Sequence, residues 1–286
     1  MILANIRIVT DSTSDIPPAI RERYGIEVVP LKVHFGNETF YDGETIGADR
    51  FYEKLAASDS LPTTSQPSPV DFASVYQKWA GEPDTRIISI HLSSAMSGTY
   101  QAATLAKSLL DEGVNVDVVD SKSASYGIGM LVVAAAKWAE EGYSADEILA
   151  KIARLRKQTR LYFLVDTLEY LQKGGRIGKA AALFGAMLNI KPILTIDDDG
   201  QVAPVDKVRG QKKAMARIIE MLKADFGDRE VAVGIAHANA LESAEQIGAL
   251  LREHFRLQSL EYTTIGPVIG THAGPGAIGI FMYPTA

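Results

Sequence analysis

Short apolar runs of strand length alternate with helical segments along almost the whole chain. The first run, Ile6 to Val9, leads into a stretch rich in hydroxyls and carboxylates, Thr10-Asp11-Ser12-Thr13-Ser14-Asp15. Pro17 and Pro18 follow where proline suits a first helical turn, and Gly25 stands where that helix would be capped. Strand-like runs recur at 27–35, 86–92 and 114–119 with helical patterns between them. This alternation predicts a parallel sheet covered by helices. Helices are then expected over 126–141 and 145–157, with Gly142 and Ser144 between them. Ile148, Ile152 and Leu155 recur at helical spacing and predict a core-facing stripe.

From Leu161 the pattern changes. A strand is expected at 161–165, and runs at 193–196 and 202–208 flank Asp197-Asp198-Asp199-Gly200, a hairpin turn by composition. Further strands at 231–237, 260–265 and 277–282 surround two amphipathic helices. The expected fold is therefore α/β with two α/β domains. Residues 1–160 would form a mostly parallel sheet with flanking helices, and residues 161–286 a mixed sheet with helices. Within the first half lies the loop 58–69, stiffened by Pro62, Pro67 and Pro69. Its hydroxyls suit a helix cap near Pro69, and such a loop is also a usual place for ligand contacts.

Composition narrows the chemistry. The 286 residues include no cysteine, which removes disulfides and thiol nucleophiles. A formal charge of −6 argues against a general nucleic-acid binder. The first residues lack a basic lead-in followed by a long apolar core, so a cytoplasmic protein is expected. The most apolar helical stretch, 128–136, is too short to span a bilayer, leaving at most transient membrane contact.

Familiar catalytic motifs do not fit. Gly174-Gly175-Arg176-Ile177-Gly178-Lys179 is one residue short of a phosphate loop, and Ala180 stands where a hydroxyl would bind magnesium. Gly274-Pro275-Gly276-Ala277-Ile278-Gly279 matches a dinucleotide pattern in letters, without the helix and distant acid that pattern requires. The five histidines show no metal-ligand spacing, so neither metal nor cofactor is expected. A hydrolase triad stays formally open, although no Gly-x-Ser-x-Gly elbow occurs.

Three clusters carry more weight. Ser93, Ser94, Ser97 and Gly98 sit where a parallel strand gives way to a helix, a place that suits an anion or carboxylate. His272 lies among glycines that allow close approach of a ligand, although a structural histidine in a turn reads equally well. Lys207, Arg209, Lys212, Lys213 and Arg217 form a run without acids, either a solvated face or a docking patch, with Arg176 belonging to the same group.

Segments 8–15, 29–31, 41–43, 64–67, 92–100, 119–121, 171–177, 189–193 and 271–276, in this order, closely resemble the DegV family, the fatty-acid-binding subunits of bacterial fatty acid kinase. The resemblance implies two α/β domains with the lipid site between them and no catalysis by the chain alone. It places the carboxylate on Thr64 and on Ser93 or Ser94, with His272 approaching from the other domain. Arg176 and Arg209 carry over as head-group or kinase-docking residues. A long-chain fatty acid and a separate ATP-binding kinase subunit are the implied partners. Candidate tunnel lining is Phe163, Leu164, Leu183, Phe184, Met187, Leu188 and Ile190, each of which also reads as plain core. A stand-alone serine hydrolase or acyltransferase using Ser93 or Ser94 with His272, and a kinase-independent lipid carrier or sensor, are the alternatives.

Overall fold

The computed structural model describes residues 5–82, 84–185 and 190–285. Its first half holds strands β1 (Asn5–Asp11), β2 (Glu27–Val29), β3 (Lys32–Phe35), β4 (Glu38–Tyr41), β5 (Thr63–Ser65), β6 (Thr85–His91) and β7 (Asn115–Asp120). The second half holds β8 (Arg160–Leu164), β9 (Ile190–Ile196), β10 (Val202–Arg209), β11 (Glu230–His237), β12 (Arg256–Thr264) and β13 (Ile278–Pro284). The expected α/β class is what the chain adopts: a parallel sheet in the order β2-β1-β6-β7 and a mixed sheet in the order β10-β9-β8-β13-β11-β12. In the mixed sheet β11 and β12 run parallel and the other neighbours antiparallel.

The run 27–35 is not one strand. Pro30 has no N–H to give a ladder, and the chain turns there, so β2 stays in the parallel sheet while β3 leaves it. β3 then centres a third, antiparallel sheet in the order β4-β3-β5. The proline-stiffened loop thus contributes β5, with Thr64 opposite Val33. The expected cap follows directly: the Ser68 side chain accepts from Asp71 N, and the Asp71 carboxylate accepts from Ser68 N at 2.8 Å, starting the helix Pro69–Tyr76.

Helix Tyr126–Glu140 is buried nearly all round its first turns and contacts both β1 and β11. A helix with so little polar face must be covered on both sides, so it sits between the parallel and mixed sheets. Alternation along β8 divides the mixed sheet in the same way. Leu161 and Phe163 join the apolar cluster shared with the first half, whereas Tyr162 and Leu164 pack with helices Gln211–Phe226 and Leu241–His254.

In the parallel sheet the chain leaves β1 toward β2 and leaves β6 toward β7, so the loops after β1 and β6 diverge. That divergence opens a crevice at the carboxyl ends of the strands. The Asp197–Gly200 hairpin closes over it: Gly200 N donates to Asp197 O at 2.8 Å, and Ser93 Oγ donates to Gly200 O at 2.8 Å. Gly200 has φ +79°, and a Cβ there would stand 2.1 Å from Ser93 Oγ. We expect Gly200→Ala to cost on the order of 1–3 kcal/mol in urea unfolding. It should exceed the cost of Gly227→Ala, which has φ +58° and open space around it. Equal costs would contradict a hairpin held down by Ser93.

Candidate functional site

A cavity of about 410 Å³ lies where the divergent loops, β5, the inner face of the mixed sheet and helix Pro267–Ala273 meet. Its wall is mostly apolar, including Leu161, Phe163, Val268 and Phe281. Its polar groups include Thr64, Gln66, Ser97, Arg176 and His272. Gln66 and Arg176 are exposed, so this polar side meets solvent.

Thr64 Oγ1 and His272 Nε2 are 2.8 Å apart across the two halves of the chain. His272 Nδ1 is buried without a partner, facing the bare Cα of Gly174, where a Cβ would come within 2.3 Å. Burial, and then the nearby Arg176 guanidinium, push the imidazole down to about 4, so it is neutral near pH 7. A neutral ring carries one N–H, and an unpartnered buried N–H costs more than a bare ring nitrogen with a weaker need for water. We therefore assign the proton to Nε2, which donates to Thr64 Oγ1. The Thr64 hydroxyl proton is then free to point into the cavity.

The other expected residues are distributed more widely. Ser97 and Arg176 line the cavity; Arg176 Nε donates to Met96 O at 3.0 Å, fixing the arginine on the loop after β6. Ser93 is fully buried and outside the lining, its hydroxyl committed to Gly200 O. Ser94 is outside it too, its N–H donating to Asp120 Oδ1 at 3.2 Å and its hydroxyl accepting from Lys122 Nζ at 3.2 Å. Gly98 is packed against the Gln66 side chain. Arg209 is exposed at the end of β10, away from the cavity wall.

Of the expected tunnel residues, Phe163 lines the cavity. Leu164 is on the opposite face of β8, one residue out of phase. Leu183, Phe184 and Ile190 line a separate cavity of about 270 Å³, where Phe184 is about half exposed. Met187 and Leu188 lie outside the described residues. The sequence reading did not single out Gln66, Ser125 or Phe281. Gln66 lies within the segment 64–67, and the period-two phase of the last strand is the signal that points to Phe281.

A serine, a histidine and an aspartate do meet elsewhere. Asp11 Oδ2 is 3.0 Å from His91 Nδ1, His91 Nε2 is 2.6 Å from Ser89 Oγ, and Ser89 Oγ is 2.7 Å from Tyr76 OH. Asp11, Ser89 and His91 are fully buried, and Tyr76 occupies the serine hydroxyl, so the chain is sealed inside the core.

The described residues contain no group of His, Asp or Glu side chains that could hold a metal ion, and no helix long and apolar enough to cross a membrane.

The DegV family model, whose description reads "Uncharacterised protein, DegV family", matches residues 5–285. The chain belongs to the DegV family. A DegV domain-containing protein of Caldanaerobacter subterraneus subsp. tengcongensis is 41% identical, over 98% of this chain and 99% of that protein. A solved DegV family protein from Thermus thermophilus, described by its fatty acid binding, superposes with a TM-score of 0.92 at 38% identity, covering 98% of this chain and 99% of that one. DegV of Bacillus subtilis, described as a fatty acid binding protein, gives 0.87 at 36% identity, over 99% and 100%.

In this DegV chain the histidine has a measurable signature. Its folded value lies below that of the unfolded chain, so between about pH 6.5 and 4 the unfolded state takes up a proton that the folded state refuses. We expect stability to fall by on the order of 3 kcal/mol through that window as pH decreases, and His272→Gln to remove this part of the loss. The imidazole signals should stay neutral down to about pH 4; a ring that titrates near 6.5 would contradict the assignment.

Proposed function

We propose that this protein holds a long-chain fatty acid in the 410 Å³ cavity between its two halves, 1–160 and 161–286, and presents the carboxylate to a separate ATP-dependent kinase subunit. The observation that carries the reading is an apolar cavity with a hydroxyl, Thr64, freed as a donor by a neutral histidine at its polar side. Burying an acyl chain gains roughly 0.8 kcal/mol per methylene, on the order of 10 kcal/mol for a long chain before binding costs. A dry wall supplies that gain, and the carboxylate needs only a few donors to fix its position. Thr64 donates directly, His272 orients Thr64, and Ser97, Gln66 and Arg176 surround the head group. The solved relatives described as fatty-acid-binding support the lipid class.

At the polar side the carboxylate is close to solvent and available as a nucleophile. One of its oxygens attacks the γ-phosphorus of ATP, and the bond to the ADP oxygen breaks, giving an acyl phosphate. The partner supplies ATP and magnesium; this chain contributes orientation of the nucleophile. Lys207, Arg209, Lys212 and Lys213 are exposed and form the proposed docking surface. Arg217 is not free for that role, because it pairs with Asp206 at 2.6 Å and Glu220 at 2.8 Å. Catalysis is thereby assigned to the partner, and the chain acts as a substrate-presenting subunit.

Mass spectrometry of the organic extract of purified protein should find a long-chain fatty acid near one per chain. Thr64→Val should weaken binding roughly tenfold, the loss of one hydrogen bond to a charged group, whereas Thr64→Ser should not. Charge reversal at Lys212 and Lys213 should leave lipid binding intact and slow acyl phosphate formation with the kinase present. An extract without lipid, and no binding of added fatty acids, would overturn the proposal.

A further inference from the structure

Asp15 and Asp42 are buried carboxyls that the lipid site does not use directly. Asp15 follows β1 in a left-handed conformation, φ 50°, and its side chain reaches two helix starts. Its Oδ1 accepts from Gly266 N at 2.9 Å, at the start of helix Pro267–Ala273, which carries Val268 and His272 into the cavity. Its Oδ2 accepts from the hydroxyl of Ser125, which precedes helix Tyr126–Glu140 and also lines the cavity. Thr263 Oγ1 donates to Asp15 O at 2.6 Å. One aspartate thus fastens two walls of the cavity together.

Asp42 crowds the same point. It is 4% exposed; the Ser12 hydroxyl and the Val268 N–H favour its ionised form, which burial outweighs, and its Oδ2 has no hydrogen-bond partner. A Cβ on Gly266 would stand 2.8 Å from Asp15 Oδ1 and 3.3 Å from Asp42 Oδ1, so the two carboxyls flank a single backbone position. Other ionisable groups close in from every side. Asp11 approaches from β1, Glu44 from the turn after β4, Tyr52 from helix Ala48–Ala56 and Tyr262 from β12. Arg21 of helix Pro18–Tyr24 brings a positive charge, with its Nε unpaired, and Glu22 and Glu27 share its cleft.

We propose that the Asp15–Asp42 pair is a proton-operated fastener that keeps helix Pro267–Ala273 closed on the cavity and loosens it when both carboxyls ionise. Its consequence for lipid release rests on the fatty-acid reading above. Two carboxylates this close cannot both ionise cheaply, so they titrate as a coupled pair. Burial pushes Asp15 well above the usual carboxylate range and Asp42 up to about 7. Folded values above unfolded ones mean that this contribution is complete at acid pH and is lost as pH rises through about 7. The oxygen that holds the proton at least cost is the unpartnered Asp42 Oδ2. His272, which titrates near 4, stays neutral throughout this range.

The test is transfer of cis-parinaric acid from the protein to phosphatidylcholine vesicles between pH 5.5 and 9, for the wild type, Asp42→Asn and Asp15→Asn. The ionisation of the probe itself is common to all three. The wild-type rate should rise about tenfold between pH 6 and 8.5 relative to Asp42→Asn, as expected for about one unit of differential interaction. Asp15→Asn should likewise blunt the response. Identical pH profiles in wild type and Asp42→Asn would overturn the fastener. If parinaric acid binds to none of the proteins, the lipid reading fails. Hydrogen exchange of amides 268–274, corrected for intrinsic rates, then decides the fastener without lipid. Faster exchange at pH 8.5 in the wild type but not in Asp42→Asn supports it, and equal exchange overturns it.

Discussion

Helix Tyr126–Glu140 presents buried residues on nearly every side of its first three turns, from Tyr126 and Ile128 through Leu131 to Ala136. Water cannot cover such a segment without exposing apolar surface on the order of 1.5–3 kcal/mol for each large side chain. The two sheets are therefore held on either side of it, β1 against one face and β11 against another. The helix starts at Tyr126, and Ala124 and Ser125 just before it line the cavity. The pocket is a by-product of how this one helix must be covered. Its apolar walls are the inner faces of the layers that cover it.

Two hydrogen-bonded histidines show how the same groups are put to different ends. His91 is satisfied at both ring nitrogens, by Asp11 and Ser89, and is locked in the core. His272 is satisfied at one nitrogen only, and the group it holds, Thr64, faces the cavity. The first arrangement rigidifies the sheet ends beneath the site; the second leaves a donor available. A neutral ring suits the second task, because a charged imidazolium in this apolar setting would need a permanent counter-ion. The carboxylate of a lipid would then be held by dipoles, with Arg176 at the solvent side as the nearby charge.

The element pattern was legible because it depends on local periodicity. The parallel sheet, the hairpin at Asp197–Gly200 and the phase of Ile148, Ile152 and Leu155 all follow from it, and those three residues are buried. The third sheet was not legible. β5 is three residues long, flanked by prolines, and exists because Thr64 pairs with Val33 far along the chain. Thr64 and His272 were picked out by motif resemblance, and their contact across the chain is a tertiary fact that spacing does not encode. Ser93 shows the reverse limit: a serine at a strand end suits an anion, but here its hydroxyl is taken by the backbone of a hairpin more than a hundred residues away. Leu164 failed to join Phe163 for a simpler reason, since neighbours in a strand face opposite ways.

The proposed function depends on a carboxylate held against the Thr64 hydroxyl while its chain lies in the apolar cavity. Carbon-13 NMR of carboxyl-labelled palmitate added to the protein tests it directly. The spectrum should show a single bound carboxyl resonance, shifted from that of the free lipid, ionised through neutral pH, and moved by Thr64→Val. A carboxyl signal that titrates and exchanges like lipid in solution, and ignores that substitution, would contradict it.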